Sequence, residues 1–191
     1  MISKQPLKEE ISGKKQKTLF LMVGCPASGK STFIKKQIPL MTNARVISRD
    51  EIRFSLVAED EPYFSREDEV FDCFINEIRE AIKTYDFVFV DATHINGKSR
   101  LKTLKRLYLN NDKVAVVPVV FTTPLKTCLL RNEYREGRRK VPEDAIKRMY
   151  NSLTMPNKTE YEYDYSSIWL VNEDGEIETT DYNYFKGMVS Q

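Results

Sequence analysis

Gly24-Cys25-Pro26-Ala27-Ser28-Gly29-Lys30-Ser31 is the stretch on which the reading of this chain turns. It follows the apolar run Leu19-Phe20-Leu21-Met22-Val23 and leads into Thr32-Phe33-Ile34, so it lies where a strand gives way to a helix. Every fixed position of the phosphate-binding loop pattern G-x-x-x-x-G-K-[ST] is filled. Gly24 and Gly29 let the backbone bend close to an anion, so that the N–H groups from Gly24 through Cys25, Pro26, Ala27 and Ser28 can surround a phosphate, proline alone giving none. The following helix, starting near Thr32, adds its positive end. Lys30 is expected to reach the β- and γ-phosphates of ATP as a mobile charge, and the Ser31 hydroxyl to ligate Mg²⁺. A chance lysine in a glycine-rich turn is the competing reading, and the strand before and helix after it argue against that.

The 191 residues suit one domain with a sizeable core, and 30% charged residues describe a globular chain. No apolar run is long enough to span a bilayer, and the first residues lack the apolar stretch of a secretory signal, so the cytoplasm is the expected compartment and no membrane partner is expected. Three widely spaced cysteines, Cys25, Cys73 and Cys128, suggest neither a disulfide framework nor a zinc site. Cys25 sits among inward N–H groups beside Lys30, surroundings that can lower a thiol pKa; a small tolerated side chain is the simpler account. The net charge of +2 hides a basic excess over Lys126 to Arg148 and an acidic stretch from Glu160 to Asp181.

Residues 1–17 read as a flexible basic arm, and residues 18–191 as one domain with a lid over about 124–142. Strands are expected at Thr18 to Val23, Arg45 to Ser48, Phe87 to Val90, Val114 to Phe121 and Ile168 to Val171. Helices are expected from the loop to Ile38, from Glu51, over Glu67 to Thr84, over Asn96 to Asn110 with Leu101, Leu104, Leu107 and Tyr108 on one side, and after Pro124 and Pro142. Strands alternating with helices imply an α/β three-layer sandwich with a parallel sheet of four to five strands. In such sheets ligands bind at the carboxyl ends of the strands, where the loop, Asp50 and Asp91 all fall.

Phosphoryl transfer also needs a group to take the acceptor proton and cations to neutralise the transition state. Asp50 can be that base, or merely the cap of the next helix. Arg53, one helical turn on, can hold an anionic acceptor or be a plain surface residue. Asp91, the acid that orients the metal's water shell, and Thr93 lie with Arg53 on the acceptor side. Arg131, Arg135, Arg138 and Arg139 can close over the nucleotide, Arg131 and Arg135 on ATP itself. His94 is read as a loop residue with a satisfied ring. The Tyr161 to Tyr165 run either stacks bases or packs the fifth strand.

GCPASGKST at 24–32, SRDEIR at 48–53, VDATH at 90–94 and RNEYREGRRKVP at 131–142 together resemble the 5′-hydroxyl polynucleotide kinases of phage and bacterial nucleic-acid repair, part of the P-loop kinases. The resemblance runs from about Leu19 to about Leu153. It implies ATP and Mg²⁺ as cofactors and the 5′ ends of RNA or DNA as partners. It assigns Lys30 and Ser31 to phosphates and metal, Asp50 to general base, Arg53 to an acceptor phosphate and Arg135 to the ATP phosphates. The basic loop is one residue longer than in the family, leaving Arg138 and Arg139 both open as the next lid arginine, and Thr93-His94 stands where the family often has Asn. Any phosphatase or ligase working with such a kinase would be a separate protein. A small-metabolite or nucleotide-sugar kinase of the zeta-toxin kind, or an ATP-dependent switch, is the alternative.

Overall fold

The computed structural model describes residues 17–110, 113–157, 159–160 and 163–179. In chain order these form β1 (Lys17–Val23), α1 (Lys30–Gln37), β2 (Ala44–Ser48), α2 (Arg49–Leu56), α3 (Glu67–Thr84), β3 (Phe87–Asp91), α4 (Gly97–Leu107), β4 (Val114–Phe121), α5 (Leu125–Glu133), α6 (Glu143–Asn151), β5 (Thr159–Glu160), β6 (Tyr163–Asp164), β7 (Trp169–Val171) and β8 (Ile177–Thr179). The main sheet has the order β2-β3-β1-β4-β7-β8. Its first five strands are parallel, and only β8 runs antiparallel to its neighbour β7. The α/β expectation therefore holds, with one strand more than the sequence suggested. β8 escaped notice because Ile177–Thr179 is short and half-polar, although Asp174-Gly175 marks the turn before it.

The unbroken apolar run of β1 makes sense from its central place between β3 and β4. Side chains alternate across the sheet: Leu19, Leu21 and Val23 join the core with α2, α3 and α4, while Phe20 and Met22 meet Phe33 and Ile34 of α1 on the other face. On α3, Val70, Phe71, Phe74, Ile75 and Ile78 are all buried, and each such side chain adds about 1.5–3 kcal/mol on burial. Pro118, lacking an N–H, falls just before Val119, the first residue of β4 to pair with β7. Cys25, Ile95, Cys128 and Ile146 form a third, small core that ties α5 and α6 to the loop after β1.

Some local expectations change. Lys17 belongs to β1, its ammonium donating to the carbonyls of Lys83 (3.0 Å) and Tyr85 (3.2 Å), so the arm is at most residues 1–16, which lie outside the described residues. Tyr108, expected on the apolar side of α4, is 80% exposed because the helix ends there in a left-handed residue. Tyr165 is a core residue beside β7; Tyr161 and Asp181 lie outside the described residues.

Candidate functional site

The strand order reverses at β1, and parallel sheets collect their loops at that point. The carboxyl ends of β1, β2, β3, β4 and β7 bring residues 24–30, Asp50, Asp91, Thr123 and residues 172–175 to one edge. There a cavity of ≈ 470 Å³ is lined by the loop residues Ala27 to Thr32, by Lys36 and Phe121, by Arg131 and Arg135, and by Asn172 to Gly175. That volume suits a nucleotide-sized ligand.

The loop is held in shape before any anion arrives. A Cβ on Gly24 would meet Ser28 Oγ at 2.8 Å and Phe121 Cβ at 3.0 Å, so the position has no room for a side chain. Gly29 has φ 104, and Ala27 takes the left-handed region with φ 63. Gly24 N–H donates to the Thr93 carbonyl (2.9 Å), and the Thr123 hydroxyl donates to the Ser28 carbonyl (2.7 Å). Ser28 Oγ is buried without a partner. Thr93 thus meets the loop through its backbone.

Lys30 is 8% exposed and its ammonium donates to the carbonyls of Gly24 (2.9 Å) and Cys25 (2.6 Å). Burial holds its pKa below the ordinary value, against the pull of Asp91. The Ser31 hydroxyl donates to Asp91 Oδ2 at 2.7 Å. Burial raises the Asp91 carboxyl, and Lys30 and the Ser31 hydrogen bond act to keep it ionised. One hydroxyl and one carboxylate are the sparse oxygen set that Mg²⁺ takes when phosphates and water complete its shell. Among the described residues no cluster of three or more His, Cys, Asp or Glu could hold a metal alone; the Ser31 hydroxyl and Asp91 carboxylate fit Mg²⁺ arriving with a nucleotide.

Asp50 is the second residue of α2, and the cap is Ser48, whose Oγ accepts from Glu51 N–H at 3.4 Å. The capping account of Asp50 is therefore displaced. Its Oδ1 accepts from Arg53 Nη1 (2.7 Å) and from the Tyr63 hydroxyl (3.1 Å), while the side chain stays 67% exposed. Burial and the Asp50 charge push the Tyr63 phenol up, keeping it a donor. Asp50 is near enough to act electrostatically on Lys30, Asp91 and Arg135.

Arg53 is not the plain surface residue that the sequence allowed, and its guanidinium is engaged by carboxylates of this chain. It is 4% exposed, and its second nitrogen pairs with Glu67 Oε2 at 2.7 Å. Glu67 also pairs with Arg49, so one carboxylate from the start of α3 anchors two arginines of α2. Tyr63 and Glu67 were missed by the sequence reading, since only tertiary packing brings them to Asp50.

The basic segment divides. Arg131 and Arg135 line the cavity, Arg131 Nη2 donating to the Glu173 carbonyl at 2.7 Å; burial lowers the Arg135 pKa. Arg138 and Arg139 turn the other way, to α2: Arg138 Nη1 donates to the Val57 carbonyl (2.9 Å) and Arg139 pairs with Glu51 (2.6 Å). The loop after β7 meets the same segment, Glu173 accepting from the Thr127 hydroxyl through its side chain and from Arg131 through its carbonyl. A turn directly following a parallel strand was the signal available in the sequence.

His94 is buried with both ring nitrogens in contact, Nδ1 with the Met22 carbonyl (3.2 Å) and Nε2 with Thr103 Oγ1 (3.1 Å). Desolvation drops its pKa to about 3, so it is a neutral structural group. Cys25 is likewise not activated: burial, reinforced by Cys128 and opposed only in part by Lys30, pushes its thiol up to about 11. No helix among the described residues is long and apolar enough to cross a membrane.

A glycine-bounded loop with its buried lysine, the Ser31–Asp91 pair and a carboxylate at the start of the helix that follows β2 define a P-loop nucleotide-binding fold of the kinase type. The family model described as AAA domain (AAA_33) matches residues 19–156, and the chain belongs to that family. A relative from Methanococcus maripaludis, an L-seryl-tRNA(Sec) kinase, is 30% identical over 169 residues, covering 86% of this chain and 62% of its own length. Among solved structures, the Pnkp1/Rnl/Hen1 RNA repair complex contains a similar chain (TM-score 0.63, 22% identity), covering 75% of this chain and 46% of its own. Chaetomium thermophilum Kti12 in complex with ADP-AlF3 matches with TM-score 0.61 at 14% identity, over 90% of this chain and 97% of its own. The chain thus spans about half to two thirds of the first two. The P-loop kinase fold supports ATP as the nucleotide.

Proposed function

We propose that the chain transfers the γ-phosphoryl group of ATP to a hydroxyl at the end of a nucleic acid, the 5′-hydroxyl of RNA or DNA. The observation that carries this reading is the exposed Asp50 carboxylate, fixed by Arg53 and Tyr63 beside Lys30 and Arg135. Asp50 accepts the proton as the acceptor oxygen attacks the γ-phosphorus, and the bond from phosphorus to the β,γ-bridging oxygen breaks. Lys30 leaves its loop carbonyls for the β- and γ-phosphates, and Arg135 and Arg131 offset charge from the lid side. Ser31, with Asp91 behind it, would hold Mg²⁺, which supplies charge neutralisation between the phosphates. Arg53 acts chiefly by holding Asp50, and Thr93 by holding Gly24, both on the acceptor edge.

A nucleic-acid acceptor is supported by the four sequence motifs and by relatives that work on RNA. The 30% identity to a seryl-tRNA kinase favours a second reading, in which the hydroxyl belongs to an aminoacyl group on RNA. Labelled γ-phosphate transfer to 5′-hydroxyl RNA, 5′-hydroxyl DNA, seryl-tRNA and small alcohols separates the readings. Label at the 5′ end is the expected result. Label on the serine of seryl-tRNA, or on a small alcohol alone, replaces the acceptor; ATP hydrolysis without transfer to any of them removes the kinase reading.

A further inference from the structure

Around Arg53 and Tyr63, the two groups that hold Asp50, the structure gathers Phe54, Phe64, Arg138 and Arg139, which the chemistry above does not use. Tyr63, which donates to Asp50, packs edge-on against Phe64 with ring centroids 4.8 Å apart and an interplanar angle of 87°. Phe54 also meets Tyr63 edge-on, with centroids 6.3 Å apart. Arg53 lies over Phe64 at 5.3 Å, while Arg138 and Arg139 lie over Phe54 at 5.2 and 5.5 Å. Phe64 is nevertheless 66% exposed. A ring with a cation near one face, open to solvent over most of its surface and one side chain away from the proton acceptor, is suited to stack a planar group.

The cationic rim adds the charge such a group would carry. Arg139 is 66% exposed and its partner Glu51 is 62% exposed. Solvent-exposed pairs of this kind contribute little, so a backbone phosphate can take the place of Glu51.

We propose that Phe64, held by Tyr63, is the stacking platform for a nucleobase at the acceptor end, and that Arg139 pairs with a backbone phosphate next to it. This deepens the acceptor reading above and rests on it. Base and phosphate would set the terminal nucleotide with its hydroxyl at Asp50, and a small polyol, having neither, would gain nothing from the platform. Every base has a face to stack, so the platform selects nucleic acid without selecting sequence.

The test uses the full chain with ADP·Mg²⁺ and a fluorescent 5′-hydroxyl RNA dodecamer, intact or abasic at its first nucleotide. Equilibrium binding by anisotropy is paired with γ-phosphate transfer to the same strands. Loss of one base–aromatic stack weakens binding about fivefold to a hundredfold. Phe64→Ala is expected to lose that factor on the intact strand, Phe64→Trp to restore it, and the abasic strand to bind wild type about as weakly as the intact strand binds Phe64→Ala. Arg139→Ala is expected to make the affinity for the strand less dependent on salt. Unchanged binding by Phe64→Ala, or an equal loss on the abasic strand, overturns the platform even where transfer to RNA is observed. Wild type that binds with this pattern yet transfers no phosphate keeps the platform and removes the 5′-kinase reading. Wild type that binds no strand removes the platform.

Discussion

Replacing Asp50 by Asn separates chemistry from architecture at one atom. Asn keeps an oxygen where Oδ1 accepts from Arg53 and Tyr63, and Ser48 still caps α2. What is lost is a charge. In the first turn of a helix that costs about 0.3–1 kcal/mol, and turning the hydrogen bond from the buried Arg53 to the solvent-facing Asp50 into one with a neutral acceptor costs about 1 kcal/mol. The sum is about 1–2 kcal/mol, which for a chain of this size lowers Tm by about 2–8 °C. Arg53 keeps Glu67 as a partner, so no buried cation is stranded. Removing a general base, in contrast, costs about a hundredfold to ten-thousandfold in rate, or about 2.7–5.4 kcal/mol in the barrier. Thermal melting with and without ATP·Mg²⁺, together with labelled phosphate transfer, reads both quantities. The expected variant is folded, still stabilised by ATP and nearly inactive. Transfer within threefold of wild type would refute the base assignment, and a Tm loss above about 10 °C would refute the claim that Asp50 is architecturally minor.

Lys30→Ala should stay folded and lose transfer, because the ammonium is buried on loop carbonyls only until phosphates replace them; initial rates and melting curves check it. Gly24→Ala should lose ATP binding in a titration followed by calorimetry, since its Cβ would lie 2.8 Å from Ser28 Oγ and 3.0 Å from Phe121 Cβ. Arg53→Ala removes charge-assisted hydrogen bonds worth about 1.5–3 kcal/mol and frees Asp50, so denaturant melts and kcat should both fall. For His94 the folded pKa of about 3 lies below the ordinary 6.5, so the unfolded chain binds its proton first. Its contribution is complete above pH 6.5 and is lost as pH falls, by up to about 1.4 kcal/mol per unit, which denaturant melts at pH 7 and pH 5 should detect.

What the sequence determined by itself was whatever depends on neighbours along the chain. An unbroken apolar run, a glycine-bounded turn and a lysine at a fixed offset specify β1, the loop and α1 locally, and parallel strands then oblige Asp50 and Asp91 to share the loop's edge. The 3.6-residue recurrence of Val70, Phe74 and Ile78 specified α3 in the same way. Residues whose meaning comes from distant partners were decided by tertiary structure. Arg53 looked exposed because α2 is polar, yet Glu67 from the next helix and Tyr63 from the intervening turn bury it. For Cys25 the sequence offered both a thiol lowered by Lys30 and, as the simpler account, a small tolerated side chain; closure of α5 and α6 over it puts Cys128 and apolar side chains nearby, and desolvation outweighs the lysine. Arg131 and Arg138, seven positions apart on one basic stretch, face opposite sides of the site because the turn at Gly137 redirects the chain. Spacing along a chain fixes local geometry; burial, which sets the charge and reach of a side chain, exists only once the layers have closed.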